Sequence, residues 1–356
     1  MTFCDFMERA LYEPDEGYYS RSRTAWSEVA DYVTAPQVDA AFGAAVARLA
    51  QECDAALGRP DRFDLVDFGG GDGALLADVC AALQSDAPDL YARLDGHSIE
   101  RGSVARHQQR QRLGVHAERV RWLSDADELA PASVCGLMLS NELLDAFAVH
   151  RVVWRDGALC EVYVDVADGE LVARQGSPST EELAGYLDDN EIELAEGQAA
   201  DICLAVGPWI EMVSRALIEG FVLTVDYGAE TSSLYGPERM NGSLVCQYRY
   251  RLNTEPLERV GRQDITAHVD FGNLRRRGAA VGLDAIGDAS LAVFLVGFGA
   301  AEGLSFEPAE QPPDADDVRR NLGLRHLLFT EIGDAHRAML QCKGVDPIPF
   351  GLDRLG

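Results

Sequence analysis

A buried strand that ends in a glycine-rich turn and opens a helix constrains the fold of this chain more than any other stretch. The segment runs from Leu65 to Cys80 and reads LVDFGGGDGALLADVC. Glycine adopts positive φ without steric cost and lets a ligand approach the backbone closely. The turn also directs the free amide N–H groups at the start of the helix toward such a ligand. The sequence therefore predicts a ligand-binding turn after the first strand of an α/β sheet.

The acidic residues of the turn bear on which ligand it binds. Residues 69–74, GGGDGA, match the dinucleotide pattern GxGxxG/A, which leaves a nicotinamide-dependent oxidoreductase as one alternative. Asp72 argues against it, because a carboxylate in the place of a pyrophosphate costs free energy. The string DFGGGDG instead resembles the first motif of class I methyltransferases, whose cofactor S-adenosylmethionine carries an ammonium and a sulfonium but no phosphate. A structural turn without a ligand is the third alternative. The candidate cofactor residues in this stretch are Asp67, Gly69, Gly71 and Gly73.

Two further acids follow the next predicted strands. Glu100 ends the strand LDGHSIE, where an acid can accept hydrogen bonds from both hydroxyls of a ribose. Enzymes that use NAD place an acid similarly, so Glu100 supports a ribose without choosing the cofactor. A solvated acid at the strand end is the alternative for Glu100. Asp125 follows the strand RVRWLS, where its carboxylate can accept a hydrogen bond from an adenine amino group.

Strand and helix patterns alternate through the first 150 residues. Short apolar runs such as RFDLVDFG and VCGLMLSNE are separated by helical patterns such as SVARHQQRQRL. This alternation favours a parallel sheet that is covered on both faces. We expect an α/β fold with a doubly wound, mostly parallel, Rossmann-like sheet, an antiparallel β insertion and additional helices.

We expect one domain over residues 1–356. Alternating residues from Val149, with Asp156-Gly157 and Asp168-Gly169 turns, predict hairpins in the insertion. We also expect continuous helices over 37–57 and 200–218. The predicted parts are an N-terminal substrate and lid segment over 1–57, a cofactor-binding core over 58–150 and 200–228, a hairpin and acidic insertion over 151–199, and substrate-side and C-terminal elements over 229–356.

Composition limits the partners and the compartment. The net charge of −28 disfavours nucleic acid and anionic membranes and favours cationic partners, although solubility alone also explains an acidic surface. No apolar run is long enough to span a membrane, and the N-terminus lacks the pattern of a secretion signal. We therefore expect a cytoplasmic protein. The eight cysteines form no Cys-x-x-Cys and the seven histidines no His-Glu-x-x-His, so we expect reduced cysteines and no metal site.

Motifs from end to end of the chain resemble the MidA (NDUFAF7-like) family of S-adenosylmethionine-dependent methyltransferases. Few other families combine NELLDA after the fourth strand with DITAHVDF. The resembling stretches are FMERALYEPDEGYY, DYVTAPQVDAAFG, VDFGGGDGALLADV, SNELLDAFAVHR, VDYG, DITAHVDFGNL and EIGDAHRAML.

The resemblance implies methyl transfer from S-adenosylmethionine. The family's mitochondrial member is assigned as a protein arginine methyltransferase that acts on a complex I subunit. This implies N-methylation of an arginine, or another cationic acceptor, on a protein. A non-catalytic S-adenosylmethionine-binding assembly factor and a small-molecule methyltransferase are the alternatives. The expected partner is a cationic protein or small-molecule acceptor, and a homodimer is left open.

Some residues depart from the family's pattern. Gln37 stands where an acid is common, Tyr250 where a histidine is usual and Leu291 where a glutamine is common. The segment AHR at 335–337 replaces a Phe-Lys pair. These departures cluster in the substrate half, so they put the substrate in question more than the chemistry.

The end of the fourth strand supplies the candidate catalytic residues Asn141, Glu142 and Asp145. If a helix begins at Leu143, Glu142 and Asp145 lie three apart and share a face. Each carboxylate could then form a bidentate hydrogen-bonded pair with a guanidinium and accept its proton. The alternative is a helix-start acid with a solvated partner.

Other candidates lie on the substrate side. His268 and Asp270 alternate in ITAHVDFG, so on an extended backbone they face one way and could act as a base and its orienter. Alternatively, Asp270 or the nearby Asp264 caps the following helix. The remaining candidates are aromatic residues that could line a pocket for a cation, with core packing as the alternative, and residues that could close over the cofactor as a lid. The aromatic ones are Tyr18, Tyr19 and Tyr227, and the lid ones are Thr34 and Pro36.

Overall fold

The computed structural model describes residues 1–20, 34–304 and 315–350. Residues 21–33, which belong to the predicted N-terminal lid segment, lie outside these ranges. The strands are β1 (Phe63–Phe68), β2 (Leu94–Ile99), β3 (Val120–Leu123), β4 (Val134–Asn141), β5 (His150–Arg155), β6 (Ala158–Ala167), β7 (Glu170–Gly176), β8 (Ala199–Ile202), β9 (Leu217–Ala229), β10 (Leu244–Tyr248), β11 (Arg251–Asn253), β12 (Asp264–Ala267), β13 (Val269–Asp270), β14 (Asp284–Ser290) and β15 (His336–Lys343). The α-helices are α1 (Phe3–Tyr12), α2 (Ala35–Val38), α3 (Ala41–Ala56), α4 (Ala74–Asp86), α5 (Pro88–Arg93), α6 (Ser103–Leu113), α7 (Glu182–Asp189), α8 (Val206–Ala216), α9 (Thr231–Leu234), α10 (Phe271–Ala280), α11 (Leu291–Gly297), α12 (Ala315–Phe329) and α13 (Glu331–Ala335).

The predicted apolar strands form one central sheet in the order β14-β15-β9-β4-β1-β2-β3, with β13 paired to β9. Neighbours from β9 to β3 are parallel, and β15 and β14 extend the sheet as antiparallel strands. The expected doubly wound, mostly parallel fold with antiparallel additions is confirmed.

Strand register places three candidate residues at one edge of this sheet. Phe68 of β1 is paired with Ile99 of β2 and with Ser140 of β4. The next residues along the three strands are Gly69, Glu100 and Asn141. Because parallel strands end at the same edge, the glycine turn, the candidate ribose acid and the NELLDA motif follow one another along that edge.

The chain divides into two compact units. The first contains Met1–Tyr32, Leu143–Glu211 and Gly228–Arg277, and the second contains Val33–Glu142, Met212–Tyr227 and Gly278–Gly356. In the second unit, apolar side chains of α3, α4, β1, β4 and β9 bury one continuous core, which includes Phe42, Leu65, Leu137 and Phe221.

The first unit is mainly antiparallel. The strands β7-β6-β5-β8 form one sheet and β11-β10-β12 another. The predicted hairpins are confirmed: both residues of the Asp156-Gly157 and Asp168-Gly169 turns have positive φ, which matches the twist of antiparallel strands.

Two predicted helices have different bounds in the structure. The helix expected over 200–218 is α8 alone, because residues 199–202 pair as β8 with β5. The helix expected over 37–57 is split into α2 and α3, since Asp39 has an extended backbone at their junction. Tertiary strand pairing and a local break in φ and ψ thus override the helical period.

No helix among the described residues is both long and apolar enough to cross a membrane.

Candidate active site

The glycine turn between β1 and α4 has the backbone that the sequence predicted. Gly69, Gly71 and Gly73 have φ of 68°, 54° and 85°, which side-chain-bearing residues rarely adopt. At Gly70, a Cβ atom would clash with Oδ2 of Asp67, so a larger residue would displace that carboxylate. The turn therefore brings bare backbone and one buried carboxylate close together.

Asp67 is the acid beside this turn for which the described residues provide no compensating cation. Its side chain is buried on β1, and its Oδ2 has no hydrogen-bond partner within the described ranges. Burial, and then the charge of Glu100, raise the pKa of Asp67 to about 7. A cationic group placed beside Asp67 would compensate this buried carboxylate. The residues therefore fit a cation-bearing cofactor.

Glu100 lies directly after β2 and is half-buried. Its Oε1 accepts a hydrogen bond of 2.8 Å from the amide of Gly102. Burial raises the pKa of Glu100, and the amides of Gly102 and Gly71 together with Arg106 oppose that rise. Glu100 thus adds a second acid at the glycine turn, as its influence on the pKa of Asp67 also shows.

Asp72 is already compensated inside the protein. Its Oδ1 accepts a 3.0 Å hydrogen bond from the amide of Ala74, at the start of α4. Its Oδ2 lies 2.9 Å from the guanidinium of Arg112 and accepts from Nε2 of Gln37 at 3.2 Å. The acids that favour a cationic cofactor are therefore Asp67 and Glu100. From the sequence, we had expected Asp72 to have this role.

The sequence analysis missed Gln109, which ties the glycine turn to β2 and β3. Its buried Nε2 donates to the carbonyl of Gly71 at 3.0 Å. Its Oε1 accepts from Ser98 at 2.7 Å and from the indole of Trp122 at 2.9 Å. The spacing of residues in α6 could have indicated that Gln109 is buried. Gln109 lies four residues from both Ala105 and Leu113 on the buried face of the helix. A glutamine on such a face needs hydrogen-bond partners.

Asp125 lies at the same edge of the sheet, two residues after β3. The side chain is exposed, and its Oδ1 accepts a 2.9 Å hydrogen bond from the amide of Asp127 as the cap of a short 3-10 helix. The predicted adenine contact of Asp125 stays a prediction.

The predicted lid residues Thr34 and Pro36 are buried at the start of α2. Gln37 of the same helix reaches Asp72, and the amide of Ala35 donates to Oε1 of Glu142 at 3.4 Å. This short helix therefore connects the glycine turn with the NELLDA motif.

Glu142 is the centre of a polar cluster after β4. Its φ of 49° is unusual for a residue with a side chain, and such strain is often found at functional sites. Its Oε1 accepts from Nδ2 of Asn141 at 3.3 Å and lies 3.4 Å from Nε2 of His336. The imidazole of His336 in turn lies against the ring of Tyr227, with centroids 3.7 Å apart.

The sequence analysis missed the role of His336, although it noted the segment AHR as a departure from the family. His336 is the first residue of β15 and pairs with Tyr227 of β9, so the antiparallel strand brings its side chain to the edge where β4 ends. Only strand pairing reveals this, because β15 is far from β4 in sequence.

The helix expected from Leu143 does not form. Residues 143–149 are turn and irregular backbone, and Glu142 before them has a positive φ. The premise that Glu142 and Asp145 share a helical face was therefore wrong. The side chain of Asp145 is buried, and its carbonyl accepts from the amide of Ala267 at 2.9 Å.

His268 and Asp270 contact different groups. Asp270 Oδ1 accepts from the amide of Asn273 and the hydroxyl of Thr231, and its Oδ2 accepts from Tyr186. This is the helix-capping alternative of the sequence analysis. Nδ1 of His268 lies 3.4 Å from Arg239, and burial together with that guanidinium lowers the pKa of His268 to about 4. His268 is thus neutral near pH 7, and its expected pairing with Asp270 is absent from the hydrogen bonds of the described residues.

The three candidate tyrosines differ in burial. Tyr18 is fully buried in an apolar core of the first unit, which favours its packing role. Tyr19 is half-buried and donates from its hydroxyl to Asp264 at 2.8 Å. Tyr227 is also half-buried, and its ring contacts His336 in the cluster around Glu142.

Comparison with known proteins defines the class of this site. The model of the family described as "Putative S-adenosyl-L-methionine-dependent methyltransferase" matches residues 45–288. The protein is therefore an S-adenosylmethionine-dependent methyltransferase. It belongs to that family, and its cofactor is S-adenosylmethionine.

Similar sequences include mitochondrial proteins named for arginine methylation. The Caenorhabditis elegans protein arginine methyltransferase NDUFAF7 homolog is 23% identical over 77% of this chain and 67% of its own length. The human protein arginine methyltransferase NDUFAF7 is 24% identical over 78% of this chain and 65% of its own length. The chain thus spans about two thirds of the length of these curated relatives.

Solved structures agree with the fold and the cofactor. A Burkholderia thailandensis protein bound to S-adenosyl-homocysteine superposes with a TM-score of 0.85 at 29% identity, over 100% of this chain and 90% of the other. A second structure from that organism gives a TM-score of 0.83 at 30% identity, over 99% and 89% of the two chains.

Proposed function

We propose that this methyltransferase methylates a side-chain nitrogen of arginine on a protein. The observation that carries the proposal is the position of Glu142. It lies after β4, beside the glycine turn that follows β1. Its Oε1 accepts hydrogen bonds from Asn141 and from the amide of Ala35, and Nε2 of His336 lies 3.4 Å from the same oxygen.

The geometry suits a flat cationic acceptor. The side-chain contacts given for Glu142 within the described ranges go to Oε1, while Oδ1 of Asn141 is buried there without a partner. A guanidinium presents several N–H donors in one plane, so it can satisfy both acceptors. The ring of Tyr227, which lies against His336, adds an aromatic wall that favours a cation.

The reaction requires alignment and removal of one proton. The bound cofactor supplies the methyl group, so that an N–C bond forms while the C–S bond breaks and its electron pair stays on sulfur. Glu142 orients the guanidinium and accepts the proton that the methylated nitrogen loses, which converts the carboxylate to a carboxylic acid. Asn141 and His336 act as positioning residues, since each contacts the Glu142 oxygen directly.

Two further facts support a cationic protein acceptor. The net charge of −28 attracts basic partners. The relatives in worm and human are named as protein arginine methyltransferases. The remaining predicted substrate residues are Tyr18, Tyr19, Asp145, His268 and Asp270, and their roles stay predictions.

Methyl transfer to a protein tests the proposal. The purified protein is incubated with radiolabelled S-adenosylmethionine and a protein extract, and labelled proteins are digested and sequenced by mass spectrometry. We expect a 14-dalton increase on arginine, and about a hundredfold loss of rate for Glu142→Gln with cofactor affinity within about twofold of the native value.

The matched control is Glu118→Gln, an exposed glutamate of the 3-10 helix after α6, which should keep the native rate. Label on lysine, on a small molecule or on no acceptor would contradict the arginine assignment. Full activity of Glu142→Gln would instead remove Glu142 from the mechanism.

A further inference from the structure

A second polar cluster lies at the opposite end of the same strands. Asp64 is the second residue of β1, and it pairs in register with Asp95 of β2. His97 follows two residues after Asp95, so it lies on the same face of the sheet. Nε2 of His97 lies 3.5 Å from Oδ1 of Asp64 and 3.8 Å from Oδ1 of Asp95, and the three atoms lie within 4.8 Å of one another.

Three buried polar atoms of this cluster lack hydrogen bonds within the described ranges. Asp64 is completely buried and His97 is 7% exposed. Oδ1 of Asp64 and both ring nitrogens of His97 have no hydrogen-bond partner within the described ranges. Unsatisfied buried polar atoms of this kind cost free energy, and in native proteins they usually indicate a ligand, an ion or a water.

The outer oxygens of both carboxylates are held by other groups. Oδ2 of Asp64 accepts from the amide of Cys135 at 2.8 Å and from Arg62 at 3.1 Å. The same guanidinium lies 3.7 Å from Oδ2 of Asp95. The two Oδ1 atoms are therefore the ones that face His97. One guanidinium serves two carboxylates, so one negative charge is left without a cation from Arg62. Carboxylates that bind metals are commonly held in this way through their outer oxygens.

We propose that Asp64, Asp95 and His97 form a binding site for a divalent transition-metal ion, with zinc as the best match. Zinc binds imidazole nitrogen and carboxylate oxygen at ~2.0–2.2 Å, which places neighbouring donors about 3.4 Å apart around a tetrahedral ion. The distances of 3.5 and 3.8 Å need only a small contraction. The side chain of Asp95 is 32% exposed, so a water can complete the coordination.

This site is separate from methyl transfer. The ion would connect β1 and β2 at their amino ends, whereas the glycine turn lies at their carboxyl ends. The site was not predictable from the sequence, because the proposed ligands come from two strands and match no compact zinc motif. The expectation of no metal rested on the absence of such motifs.

Metal titration of the purified protein tests the site. After chelator treatment, the full chain is titrated with zinc chloride by calorimetry, and Co²⁺ is used as a spectroscopic substitute that reports tetrahedral coordination. We expect one ion per chain, at least a tenfold loss of affinity in His97→Gln and in Asp95→Asn, and a higher Tm with zinc for the native protein only.

His107→Gln is the matched control, because His107 is exposed on α6 and should leave zinc affinity unchanged. Calorimetry with S-adenosylmethionine shows whether each variant is folded, since none of these residues lies at the glycine turn. No zinc binding by the native protein up to about 1 mM, or equal binding by His97→Gln and the native protein, would overturn the proposal.

Discussion

The two ends of β1 each bury an aspartate, yet the protein treats the two carboxylates differently. At the amino end, Oδ2 of Asp64 is held by Arg62 and by the amide of Cys135. At the carboxyl end, no cation among the described residues reaches Asp67, and a second acid, Glu100, raises its pKa. The difference teaches that two buried acids only three residues apart on one strand can differ in whether the protein itself supplies the compensating cation.

The largest expected effect comes from Asp67→Asn. The pKa of Asp67 is raised from 3.8 to about 7, so the folded state retains a proton that the unfolded state releases above pH 4. Stability from this group is therefore complete below about pH 4 and is lost as pH rises to about 7, by at most ~4 kcal/mol. Asn cannot titrate, so the cofactor-free variant should lose this slope and be more stable than the native protein at pH 8. Urea unfolding of both proteins at pH 5 and pH 8 measures this difference in the free energy of unfolding.

The same variant should bind S-adenosylmethionine at least tenfold more weakly, because the compensating carboxylate is gone. Asp72→Asn is the matched control within the same turn. The partner of Asp72, Arg112, is 46% exposed. We therefore expect the free energy of unfolding to change by less than ~1 kcal/mol and the cofactor affinity to stay nearly native. Equal effects of the two substitutions would show that the burial of Asp67 does not distinguish it from Asp72.

Asp64→Asn should have the opposite balance of effects. It weakens the contacts with Arg62 and the amide of Cys135, so we expect a loss of ~1–3 kcal/mol in the free energy of unfolding. Cofactor affinity should stay within about twofold, because the glycine turn is at the other end of β1. Denaturant unfolding and cofactor calorimetry on one preparation measure both. A variant with native stability and impaired cofactor binding would break the comparison.

The smallest expected effect concerns Gln109→Glu. Glutamate can still accept from Ser98 and Trp122, but it places an oxygen against the carbonyl of Gly71 where Nε2 now donates at 3.0 Å. We expect about a five- to tenfold loss of cofactor affinity at pH 8, which is partly restored at pH 6 as the glutamate becomes protonated and can donate. The ratio of variant to native Kd at each pH is the measurement.

Gln111→Glu on the exposed side of the same helix is the control for added charge. If it weakens cofactor binding as much as Gln109→Glu does, the hydrogen bond to Gly71 has no specific role in shaping the turn.

Much of the cofactor region was predictable because its signals are local. The run of β1, the glycines after it and the helix that follows are adjacent in sequence, so their backbone requirements can be read directly. The position of Glu100 was also predictable, since parallel strands end at a common edge and its strand is the next one along the chain. Its contact with the ribose stays a prediction.

The candidate catalytic region was less predictable because its contacts are not local. The helix expected from Leu143 was wrong, because residues 143–149 form turn and irregular backbone that the local sequence does not indicate. Likewise, Asp270 could be a cap or a partner of His268, and only its contacts with Asn273, Thr231 and Tyr186 distinguish the two.

By itself, the sequence determined the parallel sheet, the glycine turn and the family's cofactor, because these depend on residue period, glycine placement and a contiguous motif. The tertiary structure decided which acids are compensated: Arg112 reaches Asp72, Arg62 reaches Asp64, and no described cation reaches Asp67. It also decided that His336 contacts Glu142, through the pairing of β15 with β9. The physical reason is that the charge and reactivity of a buried group depend on neighbours that the chain brings together only when it folds.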